Sequence, residues 1–376
     1  MKTIYYEPAG RIHSSQWELI NNPPEGYKFV TKKPNSIVGN DFIFDKLRLQ
    51  YLDRMMPLNY IKAKLDSKLG IPKADMTFAY NHLVFRDIPW VVLVEWANIL
   101  VGRDLRFMPR YKKAVESALM SDNCRGILTW SLVARESMLV NYDIPTDKVT
   151  VVPHALRSRA FDRSYNHSDI RLLFVGSTNT PEDFDAKGAM DVVEAFKALR
   201  AKYKGLKLTV RARIPKRHKL DGIDGLDIIE SVLTKGELDS LFMDADIFVL
   251  PSHFCQEMVL VEAMSFGLPI VTSWIGSTCG EYVKDGITGF VLQRRQNMPY
   301  FIENMLLTSE TIYRQKYIQS AQGDSNTIDE LVSTIGRLIE DSALRERVGR
   351  NAKEEVDSGR FSIEHRDKLL EGILNA

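Results

Sequence analysis

The chain has 376 residues, 44% hydrophobic and 26% charged, the proportions of an ordinary globular protein too long for one core, so two domains are expected. No apolar run approaches the ~18 residues needed to span a bilayer, and the N-terminal MKTIYYEPAG lacks a hydrophobic signal core, so a cytoplasmic protein is expected. The net charge of +1 hides an asymmetry: residues 1–160 hold 23 Lys+Arg against 16 Asp+Glu and the remainder 27 against 33, so the front half is the one that would attract an anionic substrate or membrane surface.

In chain order, the runs 3–6, 28–31, 76–80, 90–95, 126–129 and 149–152 are short and apolar, as suits buried parallel strands, with helical patterns at 111–120 and 131–142. Residues 156–169 are polar without a strong period and read as a linker. The alternation restarts with strands at 171–175, 206–210, 226–229, 247–250, 270–272 and 289–292, and a helix at 190–204. Helices at 328–341, 343–357 and 362–374 close the chain. Two such blocks imply two doubly wound α/β domains facing each other across a cleft.

The segment 251–292 carries the strongest functional signal. A strand runs into Pro251 and Ser252, and an acidic loop with Glu257 follows. A helix is expected to open at about Glu262 and stop at Gly267, and a buried strand then leads to a Gly-rich loop ending at Glu281. An acidic loop before a helix, at the C-terminal edge of a parallel strand, is where α/β proteins bind nucleotides and sugars. This order closely resembles the donor-binding signature of family four of the retaining GT-B glycosyltransferases (glycosyl transferases group 1). Leu173-Phe-Val-Gly176, Lys187-Gly188, Ala195-Phe196, Asp246, Gly276, Gly286 and Gly289 fit the same pattern, as do Gly126–Ser131, Asp147–Pro153, Gly349, Asn351, Ala352 and Phe361-Ser362.

The resemblance implies an α/β fold of two Rossmann-like domains. Residues 1–160 would bind the acceptor and 161–360 the donor, and a last helix at 361–376 would cross back to the first domain. It implies an enzyme that moves a hexose from a nucleoside diphosphate sugar to a hydroxyl acceptor (a glycan, lipid or small molecule) with retention and without a metal or other cofactor. Two alternatives stand beside it: a non-catalytic sugar-binding or structural subunit, and a sugar-nucleotide epimerase on the same fold. Nucleic acid is not an expected partner.

Each site residue has a chemical reason. Gly176 opens a loop after a strand and permits close approach of backbone to phosphate. Lys187 is placed like the family's diphosphate lysine. Ser177 stands where the family has arginine, and Arg211 or Arg213 is expected to supply the missing charge. Glu262 matches the glutamate that accepts hydrogen bonds from the ribose hydroxyls. The family's other glutamate would fall on Phe254. Either Glu257 reaches the sugar from a rebuilt loop, or the backbone amides of Met258 and Val259 hold sugar and phosphate; His253 also lies in this loop.

In the front half, Glu95 ends an apolar strand where the family has a histidine. A carboxylate there needs a partner or a function, and a base for the acceptor hydroxyl is one. His82 is the alternative, with Arg11 and His13 as weaker candidates. The acidic pairs Asp183/Asp185 and Asp244/Asp246 are assigned no metal, and Cys124, Cys255 and Cys279 suggest neither disulfides nor zinc. The basic apolar segments 46–56 and 103–113 are candidates for peripheral membrane contact.

Overall fold

The computed structural model describes residues 1–8, 12, 14–32, 55–102, 105–167, 169–177, 181–252, 257–273, 281–292, 301–302, 306–307 and 325–375. The chain forms two compact units. Unit 1 is Met1–Ala155 with Phe301–Ser309 and Ile363–Ala376; unit 2 is Leu156–Tyr300 with Glu310–Ser362.

Unit 1 runs β1 (Lys2–Pro8), α1 (Ser14–Asn21), β2 (Tyr27–Val30), α2 (Leu58–Asp66), β3 (Met76–Tyr80), β4 (Trp90–Leu93), α3 (Phe107–Leu119), β5 (Cys124–Thr129), α4 (Leu132–Asn141) and β6 (Val149–Val151). The six strands form one parallel sheet in the order β2-β1-β3-β4-β5-β6. Every residue of β3 and β4 is buried, which explains why MTFAY and WVVL are almost unbroken apolar runs. Successive residues serve opposite faces. Tyr6, Phe78 and Leu93 pack on one face with Leu370 and Leu374 of the C-terminal helix Ile363–Leu374, while Ala79, Val92 and Ile127 pack on the other with Leu119 and Met138.

Unit 2 runs β7 (Arg171–Val175), α5 (Glu182–Ala186), α6 (Ala189–Lys202), β8 (Lys207–Arg211), β9 (Leu226–Ile229), α7 (Lys235–Asp244), β10 (Ile247–Leu250), α8 (Glu257–Ser265), β11 (Ile270–Ser273), β12 (Gly289–Leu292), α9 (Ser325–Glu340) and α10 (Ser342–Asp357). Its parallel sheet has the order β12-β11-β10-β7-β8-β9, a doubly wound topology whose direction reverses between β7 and β10. α7 opens with a capping box: the Glu237 amide donates to Thr234 Oγ1 at 3.3 Å and the Thr234 amide donates to Glu237 Oε2 at 2.7 Å.

The polar segment at 156–169 is not a loose tether. Arg163 is buried and donates to the carbonyls of Phe266 (2.9 Å), Phe242 (2.6 Å) and Ala245. Tyr165 Oη donates to the Gly267 carbonyl at 2.7 Å, and buried Arg345 donates to the Tyr165 carbonyl at 2.6 Å. Its exposed polar residues face water, while buried Arg163 and Tyr165 satisfy the carbonyls at the ends of α7 and α8.

Candidate donor site and acceptor-side cluster

In unit 2, β7 and β10 lie side by side, pairing Leu172 with Ile247 and Leu173 with Phe248. The chain leaves them in opposite directions, so their carboxyl ends open a crevice, the standard ligand position in such sheets. Gly176 stands at the end of β7. Its amide donates to the Arg211 carbonyl at 2.7 Å, and a Cβ there would lie 2.8 Å from the Ala212 Cβ and 3.0 Å from the Phe174 ring. Packing against the end of β8 therefore demands glycine. The Ser177 carbonyl accepts from the Arg213 amide at 3.1 Å, which extends the strand pairing by one more step.

Lys187 closes α5 and is buried, and Gly188 follows with φ +75°. A Cβ on Gly188 would sit 2.3 Å from the Pro251 carbonyl oxygen. Only glycine allows this approach in the left-handed region, and it sets the Lys187-Gly188 turn against the end of β10. Beneath it Asp185 is fully enclosed and ion-paired with Arg217 and, at 2.8 Å, with His218. Those pairs tie α5 to the segment after β8.

The two arginines proposed for the missing charge differ in placement. Arg211 donates from Nη1 to the Gly176 carbonyl at 3.1 Å. Burial lowers its pKa, and the Glu262 charge opposes that shift. The Arg213 side chain is exposed. Arg211 is the arginine turned toward the loop after β7.

The helix after β10 begins at Glu257, five residues before the expected opening at Glu262. Glu262 thus sits in the second turn of α8. The residue is partly exposed, yet desolvation pushes its pKa from 4.5 up to about 7, against the pull of Lys235, Arg159 and Arg211. Among the described residues the carboxylate makes no hydrogen bond or ion pair, although three cations act on it from nearby. Met258 and Val259 lie in the first turn of α8, where amide N–H groups have no acceptor within the helix. The Glu257 side chain and residues Arg11, His13, Phe254, His253, Cys255, Gly276 and Cys279 fall outside what the structure describes, as does most of the 46–56 segment.

In unit 1 a second polar group lies at the carboxyl ends of β3 and β4. Glu95 is held on both oxygens: Tyr80 Oη donates to Oε1, and Asn81 Nδ2 donates to Oε2 at 3.1 Å. The Glu95 amide returns a bond to Asn81 Oδ1 at 2.9 Å. Asn81 has φ +60°, a left-handed conformation that asparagine tolerates through such local bonds. Burial, then the Glu95 charge, pushes the Tyr80 hydroxyl well above its usual pKa, so it stays a donor. Tyr6 Oη, buried nearby and raised by the same two causes, has no hydrogen-bond partner among the described residues.

His82 corrects an expectation. It is only 2% exposed, and both ring nitrogens lie 3.0 Å from backbone carbonyls, Nδ1 from Leu83 and Nε2 from Glu7. Burial lowers its pKa. Neither nitrogen is available to a substrate, so in this geometry His82 fixes the turn after β3, while Glu95 remains partly exposed. Sequence reasoning missed Tyr80, Asn81 and Tyr6. The Tyr80-Asn81 step at the end of an apolar strand was the available signal, since asparagine there favours a left-handed turn.

The acidic pairs read with metals in mind are occupied by protein. Asp185 holds Arg217 and His218, and Asp246 accepts from the Arg171 amide at 2.8 Å and faces His167 Nε2 at 2.9 Å.

Residues 169–307 match the family model of glycosyl transferases group 1. A 197-residue stretch is 25% identical to the capsular polysaccharide biosynthesis glycosyltransferase CapM of Staphylococcus aureus, covering 50% of this chain and 43% of that protein, so the match spans less than half the relative's length. The fold is similar to that of Anabaena HepE solved with UDP and glucose (TM-score 0.59, 12% identity, all of both chains). It is also similar to that of WaaG, a glycosyltransferase involved in lipopolysaccharide biosynthesis (TM-score 0.54, 14% identity, all of both chains). TarM matches over 88% of this chain and 57% of its own, with TM-score 0.55 and 11% identity. The switch-point crevice of unit 2 therefore lies within a stretch similar to the glycosyl transferases group 1, on a chain with the GT-B fold.

Proposed function

We propose that the chain moves a hexose from a nucleoside diphosphate sugar to a hydroxyl acceptor, with retention at the anomeric carbon and without a bound metal. The observation that carries this reading is the partly exposed carboxylate of Glu262, raised in pKa and left without a hydrogen bond among the described residues, beside Arg211 and the Gly176 loop. A largely desolvated carboxylate gains from hydrogen-bond donors, and two ribose hydroxyls would supply them.

In this reading the Gly176 loop, Lys187 and Arg211 hold the diphosphate, and the first-turn amides of Met258 and Val259 add N–H donors at a helix N-terminus. Two protein cations then do the neutralising work that a divalent ion does elsewhere. Glu262 fixes the ribose and Glu257 the sugar. The bond from the anomeric carbon to the acceptor oxygen forms as the bond to the diphosphate breaks. The acceptor proton passes to the leaving diphosphate oxygen on the same face, leaving glycosylated acceptor and nucleoside diphosphate. Glu95, aimed by Tyr80 and Asn81, is the acceptor-side carboxylate that orients the attacking hydroxyl.

HepE was solved with UDP and with UDP-glucose, so UDP-sugars are the first donors to test. A thermal-shift screen of UDP-, GDP- and ADP-sugars should show stabilisation by one nucleotide, because a ligand bound only to the native state raises apparent stability. Incubation with that donor and simple glycosides, with the product's anomeric configuration read by NMR, tests retention. Donor consumed without transfer would replace this reading with epimerisation, and no response to any nucleotide would end it.

A further inference from the structure

The segment 211–219, RARIPKRHK, holds five Lys+Arg in nine residues and no acid. Residues 161–376 hold 27 Lys+Arg against 33 Asp+Glu, or −6, so without this segment the balance is 22 against 33, or −11. Arg211 ends β8, and the rest of the segment leaves the carboxyl end of the sheet. Arg213, Lys216, Arg217 and Lys219 are exposed, and among the described residues the side chains of Arg213, Lys216 and Lys219 make no hydrogen bond or ion pair. The acids that touch the segment are spent within the fold. Asp185, with no exposed side-chain surface, holds Arg217 and His218, and Glu230 Oε1 accepts from the Ile214 amide at 2.7 Å. Asp221 and Asp224 follow only beyond buried Leu220, and Asp224 is paired with Arg200 at 2.8 Å.

The backbone of the segment is fixed beside the loop after β7. The Arg213 amide donates to the Ser177 carbonyl at 3.1 Å, and Arg211 Nη1 donates to the Gly176 carbonyl at 3.1 Å. The His218 amide donates to the Pro215 carbonyl at 2.9 Å, closing a turn with Lys216 and Arg217 at its tip. Pro215 is buried, and the His218 ring lies 5.5 Å from that of Phe184. The chain is thus anchored to its neighbours while its cationic side chains stand in water. Solubility does not call for such a block, because mixed charges serve it and acids dominate the sequence around it.

We infer that the segment 213–219 is an electrostatic antenna for the donor: it draws the doubly negative nucleoside diphosphate sugar to the Gly176 loop and does not touch it once bound. The inference rests on the donor reading of the proposed function. Lys187 and Arg211 already match the two charges of a diphosphate, so the three unpaired cations have no counter-charge to meet in the bound complex. They do have a purpose on the approach. A surrounding net charge of −11 repels a dianion, and a fixed block of cations beside the site reverses the sign of the field there. Charges outside contact distance change how often the partners meet and leave the rate of separation alone.

The test is stopped-flow binding to the full chain of UDP carrying a fluorophore on its β-phosphate, where the sugar sits, with the matching GDP and ADP conjugates. K216E/K219E should slow association about tenfold at low salt and leave dissociation within about twofold. Salt should slow the parent toward the variant, because screening cuts the reach of these charges to about 10 Å at 0.1 M. K204E/K207E makes the same change of charge at the other end of the sheet, where both lysines are exposed at the start of β8, and should alter association less than about twofold. All four lysines are exposed, so melting temperatures should stay unchanged. Equal slowing in both double variants would assign the effect to net charge and overturn the inference. Faster dissociation of K216E/K219E would also overturn it, by marking a direct contact. If a conjugate binds the parent and K216E/K219E with the same rates, this inference alone falls. If none binds the parent, the donor reading falls and the inference with it.

Discussion

Glu262 should make the unliganded protein less stable at neutral and alkaline pH than it would be without that charge. In an unfolded chain the carboxyl ionises near 4.5, and in the folded protein burial raises this to about 7. The native state therefore binds the proton more tightly. The stability that a neutral carboxyl allows is fully present below pH 4.5 and is lost as pH rises through about 7. The gap corresponds to about 3 kcal/mol, at 1.36 kcal/mol per pH unit. Glu262 is partly exposed, so solvent screening makes that figure a ceiling. Glu262→Gln keeps the shape and removes the charge. It should match the parent near pH 5 and exceed it by up to roughly 6–12 °C in Tm at pH 8, for a domain of this size. Donor binding should move the other way. Hydrogen bonds to a charged acceptor contribute about 1.5–3 kcal/mol each, so the affinity for UDP should fall roughly 10- to 100-fold, and that of the parent should weaken as pH drops below 7. Thermal melts across pH 5–8 and titration calorimetry with UDP read both effects. A variant no more stable than the parent at pH 8, or a difference that persists at pH 5, would refute the reasoning.

Arg211→Met should lower UDP affinity about tenfold or more, by loss of a charged contact, while Arg213→Met should change it less than about twofold; calorimetry of the pair decides which arginine replaces the one absent at Ser177. Gly188→Ala should cost about 2 kcal/mol or more in urea unfolding, since the left-handed turn alone costs about 1–2 kcal/mol and a Cβ would also meet the Pro251 carbonyl. Tyr80→Phe removes one of the two donors that aim Glu95, so it should slow transfer to the acceptor and leave UDP affinity unchanged; a loss of UDP affinity would show that the cluster is not on the acceptor side.

Much of the architecture was readable in advance. The runs at 76–80 and 247–250 coincide with β3 and β10, because a parallel strand buried on both faces must be apolar along its length, and those at 226–229 and 289–292 coincide with the partly buried edge strands β9 and β12. α7 was not anticipated, although Thr234 and Glu237, three residues apart, carry a capping-box signal. The start of α8 was misjudged by five residues. Glu257 suits a helix N-terminus as well as a loop, and the helix runs on toward the Tyr165 contact at Gly267. In the candidate site, the places of Gly176, Lys187 and Glu262 at the ends of β7, α5 and in α8 follow the order expected from the resemblance. Their neighbours Asp185, Arg217 and His218 were not, since a paired carboxylate looks like any other acid in a sequence.

Local periodicity and turn chemistry, both written in contiguous residues, determined the two doubly wound halves and most strand positions. Tertiary structure alone decided which side chains are free to use. His82 is closed off by the Glu7 carbonyl 75 positions away, and Glu95 is aimed by Tyr80 fifteen positions back. Arg211 is turned to the Gly176 loop 35 positions before it, and Asn59 donates to the Ile99 carbonyl 40 positions on. A chain's apolar pattern records what must be buried somewhere, whereas the partner of each polar group is chosen only when distant strands and helices meet.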